Sequence, residues 1–499
     1  MKRKESLNRY LLWKPSKIVI LISLFLPIFI FGIALKFTPN NDFWFLINTG
    51  KYILNNGFPH IEPFTIHEGL SLVVQQWLTD VIFYLIYNKF GIYGMYTFIL
   101  IAKIIITYLI YKTCLLISDN KIKLSILITL IINMLLSIYF FIDTRPYIFD
   151  IIIFLTEFYI LESYIKSSNN KYLIILPVLS VLLINLHCSM WFMLYIFLLP
   201  YYIEYIIRKD YKIKPIIITT IIMILVGFIN PYGISAITYI FNSYGNTYVN
   251  NQVAEMLPFT INESTLVYIY LLFILITNRK KEKINIRYFL LFLGTAYLCL
   301  KHMRALIFLI IISLLPLCDN LKRLFPKETI TYKKNKKDTT TYIILLLILI
   351  ITFIFNIRVE KENQIALYRI SNYLDEKANK NIKLYTEYAT GSYLEYRGYK
   401  CYIDPRAEVF LKKNNKKEDI FIEFFYLQNL YGDQKIIREF LQKYDFDYLL
   451  VESSDVLYCF LENNEDYTLV HTDSYVKKYN IKETITTKYK LYKKAKEQS

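Results

Sequence analysis

Long apolar runs recur between residues 17 and 357. Two of them, residues 18–35 and 341–357, come close to the ~20 residues that an α-helix needs to cross the hydrocarbon core of a bilayer. Apolar residues fill 55% of the 499 positions, and the mean hydropathy is +0.33, a composition that is rare in soluble proteins. The sequence therefore predicts an all-α polytopic membrane bundle.

Basic residues lie in short segments between the apolar runs, and their placement predicts the topology. The basic clusters are residues 2–17, 121–123, 166–171, 208–214, 279–287 and 322–337. Because lysine and arginine near span ends stay in the cytoplasm, we predict a multi-pass protein of the cytoplasmic membrane with its N-terminus inside. The net charge of +17 is spread between spans rather than along one soluble face, which argues against nucleic-acid binding.

This topology requires residues 72–90 to lie along the outer interface rather than cross the bilayer. Gln75, Gln76, Thr79 and Asp80 form a polar stripe at helical spacing, which is typical of helices in the interface plane. About eleven transmembrane helices then remain, and several of them are shorter than the ~20 residues that a full span needs. They are predicted at residues 17–37, 94–117, 122–142, 147–165, 172–187, 190–207, 215–230, 265–277, 287–300, 303–318 and 341–357.

The segments that this topology places outside are poor in lysine and rich in chemically active side chains. They run from Asp42 to Ser71, from Asp143 to Pro146, from Asn185 to His187, from Asn230 to Pro258 and from Lys301 to Arg304. Because a chance distribution would use both faces, this concentration predicts an active site on the outer side of the membrane.

Residues 358–499 lose the long apolar runs, and we predict a C-terminal α/β extracytoplasmic domain there. Segments typical of strands begin at Lys383, Lys400, Phe446, Tyr467 and Tyr489, and segments typical of helices begin at Gln434 and Asp455. No phosphate loop or nucleophile motif is present, so we expect this domain to support or bind rather than catalyse. Residues 1–357 form the predicted transmembrane domain, with a long outer loop at 38–93.

Short motifs follow one another along the predicted outer face. They are Asp42-Phe-Trp, Glu62-Pro-Phe, Gln75-Gln-Trp-Leu, Arg145-Pro, Asn185-Leu-His, Asn230-Pro-Tyr-Gly, Glu255 and Arg304, then TGSYLEYRGYKCYIDPRAEVF from Thr390. Their order resembles that in the GT-C superfamily of membrane glycosyltransferases, and above all in bacterial homologues of the protein mannosyltransferases and lipid A aminoarabinose transferases. The resemblance extends over nearly the whole chain.

The resemblance implies a glycosyltransferase that moves a sugar from a polyprenyl-phosphate donor to an extracytoplasmic cell-envelope acceptor. It implies Asp42 as the catalytic base, because a carboxylate can take the proton of a weakly nucleophilic hydroxyl; the alternative role is an N-cap of the following helix. Many members have two adjacent acids here, whereas this chain has Asn41 before Asp42. Glu62 or Glu68 is then the candidate second carboxylate. A divalent metal stays open, and no other cofactor is implied.

Five further residues are candidates for substrate binding. They are Arg145, His187, Glu255, His302 and Arg304. The planar fork of arginine suits a phosphate, and histidine can orient a donor or act as an acid. The alternatives are contact of the arginines with lipid headgroups, an ion pair of Arg145 with Asp143, and merely structural hydrogen bonds for the histidines.

Asp150 and Glu157 share one face of the fourth predicted span. Charged groups are costly in lipid and have a partner or face a cavity, and Lys103 is the candidate partner. We interpret these residues as a structural ion pair, with a proton path as the alternative. The close spacing of Asp404 and Arg406 predicts a local ion pair between them.

Two other classes of function stay open. A transporter or lipid flippase needs polar groups through the bundle and often has an internal repeat, which the sequence lacks. A non-catalytic envelope assembly protein would act through its outer domain. The expected partners are a polyprenyl-phosphate-linked sugar and the lipid bilayer, and the sequence does not identify the acceptor.

Overall fold

The computed structural model of this chain describes residues 17–34, 37–140, 144–209, 211–243, 247–258, 265–279, 285–322, 359–429, 433–478 and 484–495. The chain divides into two compact units. The helical unit comprises Met1–Phe37, Tyr96–Asn230 and Val253–Val359, and the mixed unit comprises Thr38–Met95, Pro231–Gln252 and Glu360–Ser499. The predicted loop at 38–93 therefore belongs to the same unit as the C-terminal residues.

The helices are numbered here in chain order over the described residues. They are α1 (Lys17–Ala34), α2 (Asn41–Asn56), α3 (Trp77–Ile117), α4 (Ile122–Phe140), α5 (Tyr147–Ser167), α6 (Ile175–Leu186), α7 (Trp191–Arg208), α8 (Lys214–Val226), α9 (Ile234–Ser243), α10 (Thr247–Gln252), α11 (Thr265–Arg279), α12 (Ile286–Lys301), α13 (Leu306–Leu321), α14 (Ala366–Lys377), α15 (Gly391–Tyr396), α16 (Lys412–Asn415), α17 (Ile420–Gln428), α18 (Gln434–Tyr444) and α19 (Val456–Phe460).

Some of these helices are long enough to span a membrane. Within the described residues, four helical stretches are long and apolar enough to cross a bilayer: Trp77–Ile117, Ile122–Tyr139, Cys188–Arg208 and Met303–Leu321. Shorter apolar helices stand at Asn170–Leu186, Lys214–Val226 and Tyr268–Thr277. The chain is a membrane protein, but the predicted count of about eleven spans is not confirmed. The predicted span at 341–357 lies outside the described residues.

Helix α13 forms the centre of the helical unit. Its side chains from Leu306 to Asn320 are buried, and it packs against α4, α11 and α12. A helix that is apolar on every side suits this central position, because no face needs water.

An ionic cluster joins α5, α7 and α12 inside the helical unit. Arg287 donates to Glu162 through Nε and Nη2, both at 2.8 Å, and pairs with Glu204. Tyr288 and Tyr201 also donate to Glu162, at 2.6 and 3.0 Å. Buried charges are tolerated when they are paired and hydrogen-bonded, so this ionic cluster fixes the packing of three helices.

Helix α3 is interrupted at Gly91, where φ is 60° and ψ is −156°. This region of conformational space is open essentially to glycine alone. The interruption separates residues 77–90 from the apolar segment that follows, close to the predicted boundary between residues 90 and 94. In the first part, Thr79 and Asp80 of the polar stripe are buried, whereas Leu85 is exposed. The position of this part at the membrane interface stays a prediction.

The mixed unit contains a five-stranded sheet within its described residues. The strands are β1 (Lys383–Tyr385), β2 (Lys400–Cys401), β3 (Tyr448–Glu452), β4 (Tyr467–Lys478) and β5 (Thr484–Lys494), in the order β2-β1-β3-β5-β4. The β1 strand pairs in parallel with β2 and β3, and β5 pairs antiparallel with β3 and β4. The five predicted strand segments and the helix from Gln434 are confirmed.

Helix α2 packs against α15 of the same unit. Ser392 donates from Oγ to the Asn41 carbonyl at 2.7 Å, and the rings of Trp44 and Tyr393 meet edge to face with centroids 4.9 Å apart. At the start of α15, a Cβ on Gly391 would lie 2.0 Å from the Ile403 carbonyl oxygen. Only glycine therefore permits this close approach of α15 to the segment after β2.

Candidate functional site

The predicted site residues fall into both units. Arg145, His187, Glu255, His302 and Arg304 belong to the helical unit, and Asp42 and Glu62 belong to the mixed unit. The residues of the first group are linked to one another, whereas Asp42 and Glu62 each interact with other residues of the mixed unit.

The first set begins at Arg145, just before α5. Its guanidinium forms an ion pair with Glu255, which lies in the short 3₁₀ turn Ala254–Met256. Both side chains are partly exposed. Asp143, the alternative partner considered for Arg145, lies outside the described residues. The ion pair holds a loop side chain against the start of a helix, and the guanidinium remains partly exposed.

The same 3₁₀ turn contacts the connection between α12 and α13. His302 donates from Nδ1 to the Met256 carbonyl at 2.8 Å, because a carbonyl oxygen only accepts. Arg304 Nη1 lies 3.6 Å from the Met256 sulfur, and Met303 N donates to the Leu257 carbonyl at 3.0 Å. One loop segment thus connects Arg145 to the two basic residues before α13.

His187 ends α6 and pairs with an acid from α5. Its Nδ1 lies 2.7 Å from Asp150 Oδ2, and both residues are buried. The positive charge of Arg304 also acts on Asp150. The expected pairing of Asp150 with Lys103 was wrong about the partner, because sequence spacing does not indicate which side chain from another helix faces Asp150. Glu157 lies further along α5 and is fully buried.

These contacts, together with the electrostatic effect of Arg304 on Asp150, define a group in the helical unit that is called here the polar network. Its members are Arg145, Asp150, His187, Glu255, Met256, His302 and Arg304. The arginines offer donors to a phosphate. Both histidines use Nδ1 for these contacts, and Nε2 of each ring makes no hydrogen bond within the part of the chain that the structure describes.

In the mixed unit, Asp42 lies in the first turn of α2 and is half-buried. The N-cap is Asn40, whose side chain accepts from Phe43 N at 3.0 Å, so the capping role considered for Asp42 belongs to Asn40. Asp42 lies close to Tyr388. Burial, together with the carboxylates of Glu408 and Asp42, raises the pKa of Tyr388 well above its usual value. Tyr388 therefore stays a neutral hydroxyl beside the candidate base.

Glu62 is buried and held on both sides of its carboxylate. Oε2 accepts from the backbone N–H groups of Phe64 and Thr65 at 2.8 and 2.9 Å, and Oε1 accepts from Arg406 Nη2 at 2.8 Å. Arg406 also binds Asp404 through Nε and Nη2, which confirms the predicted local pair. This geometry favours a structural role for Glu62.

A second buried acid, Glu395, lies 3.7 Å from Arg406. Burial and the neighbouring carboxylate of Asp404 raise the pKa of Glu395 well above its usual range. The neutral form of Glu395 is therefore favoured relative to that of an exposed glutamate, and Arg406 pairs with Glu62 and Asp404. Glu395 lies in the motif that begins at Thr390, but it was not among the predicted site residues, because sequence spacing does not show that its side chain is buried beside Arg406.

The described residues do not fit a divalent metal. No group of three or more His, Cys, Asp or Glu among them is arranged to hold one. Where Glu62, Glu395 and Asp404 come together, the guanidinium of Arg406 contacts the carboxylates.

Comparisons with known proteins show similarity of fold. No family model matches the sequence, and no curated protein matches it. The oligosaccharyltransferase of Archaeoglobus fulgidus in its apo form is similar, with a TM-score of 0.58 and 10% identity over 88% of this chain and 70% of that chain. The same archaeal enzyme, tethered through a disulfide bond to an acceptor peptide with the NVT sequon, gives a TM-score of 0.56 and 10% identity over 88% and 69%.

Proposed function

The chain has the fold of oligosaccharyltransferases, which belong to the GT-C superfamily, and we propose that it is a membrane glycosyltransferase. It moves a sugar from a polyprenyl-phosphate donor to an acceptor outside the cytoplasmic membrane. The N-terminus lies inside, and the mixed unit lies outside. The observation that carries this proposal is the polar network, which unites five residues from four separate outer segments of the predicted topology.

In the proposed reaction, an acceptor hydroxyl attacks the anomeric carbon of the donor sugar. The bond from that carbon to the phosphate oxygen breaks, and its electron pair leaves with the polyprenyl phosphate. Asp42 takes the proton of the acceptor. Arg304 and Arg145 stabilise the charge that develops on the leaving phosphate. Direct attack inverts the anomeric configuration.

The test is a transfer assay with the full chain in lipid nanodiscs. Synthetic undecaprenyl-phosphate sugars serve as donors, glycans and sequon peptides serve as acceptors, and the release of undecaprenyl phosphate is measured. Arg304→Lys keeps the charge but loses the bidentate fork, so its rate should fall. Arg304→Ala should reduce the rate by roughly a hundredfold or more, as the loss of a transition-state donor does.

Arg208→Lys is the matched control, since Arg208 lies outside the polar network and contacts Glu204 at 3.7 Å. Its rate should equal that of the unchanged chain. Absence of release with every donor, or equal rates in the Arg304 and Arg208 variants, would contradict the proposal. Movement of an intact lipid-linked sugar across the bilayer would instead favour the flippase alternative.

A further inference from the structure

His187 at the end of α6 is fixed by hydrogen bonds of both its backbone and its side chain. Its backbone N–H donates to the Leu183 carbonyl at 2.8 Å, and its carbonyl accepts from Met190 N at 3.0 Å. Two residues earlier, Asn185 Nδ2 donates to the Ile229 carbonyl at 2.9 Å. With the ring nitrogen Nδ1 only 2.7 Å from Asp150 Oδ2, backbone and side chain are both fixed.

The contact with Asp150 decides which nitrogen carries the proton. A carboxylate oxygen accepts, so Nδ1 is the N–H and Nε2 presents a lone pair. Asp150 is 1% exposed, and its Oδ1 makes no hydrogen bond with a described residue. A buried carboxylate is costly to keep without a full set of partners, and packing alone does not account for it.

The two histidines and the two arginines have complementary hydrogen-bonding capacities. His302 also donates from Nδ1, to the Met256 carbonyl, so both rings present Nε2 as an acceptor. Arginine only donates. A phosphate needs donors, whereas the hydroxyl groups of a sugar need acceptors, and the polar network holds both kinds of group beside each other.

We propose that His187 accepts a hydrogen bond from a hydroxyl group of the donor sugar, and that Asp150 is the positioning residue that fixes its tautomer. This inference rests on the proposed function and specifies its substrate: the sugar carries a free hydroxyl group close to its phosphate. In this arrangement Arg304 binds the phosphate, and His187 recognises a hydroxyl group of the sugar.

The first test measures the tautomer without any turnover. The chain has five histidines, few enough for ¹⁵N-histidine NMR with assignment by single substitution. In the unchanged chain, His187 should show a protonated Nδ1. Asp150→Asn offers an amide donor in place of the carboxylate, so the proton should move to Nε2. Glu157→Gln is the matched control, because Glu157 is an equally buried acid on the same helix; it should leave the His187 signals unchanged.

The second test separates phosphate binding from sugar binding. Undecaprenyl phosphate without a sugar should bind the chain equally well before and after His187→Ala or Asp150→Asn. Binding of a transferable undecaprenyl-phosphate sugar should weaken roughly tenfold or more in both variants, the scale of one lost hydrogen bond whose partner stays buried. The double variant should be no weaker than His187→Ala, because Asp150 acts through His187.

Equal losses for the lipid phosphate and the lipid-linked sugar would overturn the inference, and so would an unchanged tautomer in Asp150→Asn. Failure of the proposed function would look different, since the unchanged chain would then neither bind undecaprenyl phosphate nor release it from any donor. A donor that lacks the hydroxyl beside its phosphate and still binds with full affinity would also contradict the assignment.

Discussion

At the scale of single residues, the placement of Asp42 separates a chemical role from a structural one. Asn40 caps α2, so Asp42→Asn leaves the cap in place and removes only the carboxylate. We expect thermal stability to be unchanged and the transfer rate to fall by roughly a hundredfold or more, the scale of a lost general base. The measurement pairs the undecaprenyl phosphate release assay with thermal unfolding.

Asn40, the N-cap of α2, provides the control for the Asp42 variant. Asn40→Ala should lower the free energy of unfolding by about 1 kcal/mol and leave turnover by the folded fraction unchanged. Full activity in Asp42→Asn would refute its role as the base. Glu408, which also acts on Tyr388, would then be the next acid to substitute.

Glu395 predicts a pH dependence of stability. Its pKa is raised well above 4.5 by burial and by the Asp404 carboxylate, so above pH 4.5 the folded chain keeps a proton that the unfolded chain releases. The free energy of unfolding therefore falls as pH rises from about 4.5 towards the raised pKa. Glutamine resembles the neutral acid, so Glu395→Gln should remove this loss and become more stable than the unchanged chain at neutral pH.

Thermal unfolding across that pH range checks the prediction. Glu439→Gln is a suitable control, because Glu439 is exposed and lies 3.9 Å from Lys435, a surface pair of small energetic value. Parallel stability profiles for Glu395→Gln and the unchanged chain would show that Glu395 titrates normally.

Five residues of the polar network were predicted singly as binding residues, but their connections were not. Outer-face chemistry identified Arg145, His187 and Arg304 from their positions beside apolar runs. The partner of His187 lies 37 residues away on another helix, and the helical period relates only residues on one face of the same helix. Tertiary packing alone selects such a partner.

At the scale of elements, the ionic cluster determines how firmly α5, α7 and α12 are joined. Glu162→Gln removes the charge that Arg287 contacts twice, so the free energy of unfolding should fall by about 3–5 kcal/mol. Arg208→Gln is the contrast, because Arg208 is half-exposed and 3.7 Å from Glu204; it should cost about 1 kcal/mol or less. Thermal unfolding in detergent measures both, and equal losses would contradict the distinction.

Strands and long helices followed from sequence periodicity, whereas the division of the apolar runs into spans did not. Helix α6 has 12 residues and follows a separate 3₁₀ segment, Asn170–Ile174, although residues 172–187 form one apolar run. Hydropathy records how apolar a segment is and not where its helix turns or breaks. The break at Gly91 is the exception, since a glycine at a change of pattern marks such a point.

At the scale of the whole molecule, the predicted topology places residue 167 and the mixed unit on opposite sides of the membrane. Cys459 is exposed, and the other five cysteines are buried, so Cys459 is a native reporter for the mixed unit. An impermeant maleimide added to intact cells should label Cys459. A cysteine introduced as Ser167→Cys in a Cys459→Ser background should react only after the cells are opened.

Labelling of the residue 167 cysteine in intact cells, with Cys459 protected, would reverse the orientation. The proposed site would then face the cytoplasm. Asn363→Cys in the Cys459→Ser background gives an independent reading from the same unit, because Asn363 is also exposed.

Because Glu62 and Arg406 lie far apart in the sequence, their ion pair can form only late in biosynthesis. The two residues are 344 positions apart, so at about 5–20 residues per second roughly 17–70 s separate their emergence from the ribosome. For that interval Glu62 lacks its partner Arg406, and α2 lacks the helix α15 against which it packs. A chain released before residue 391 would lack both Arg406 and α15, so Glu62 would stay without its partner and the packing face of α2 would stay uncovered.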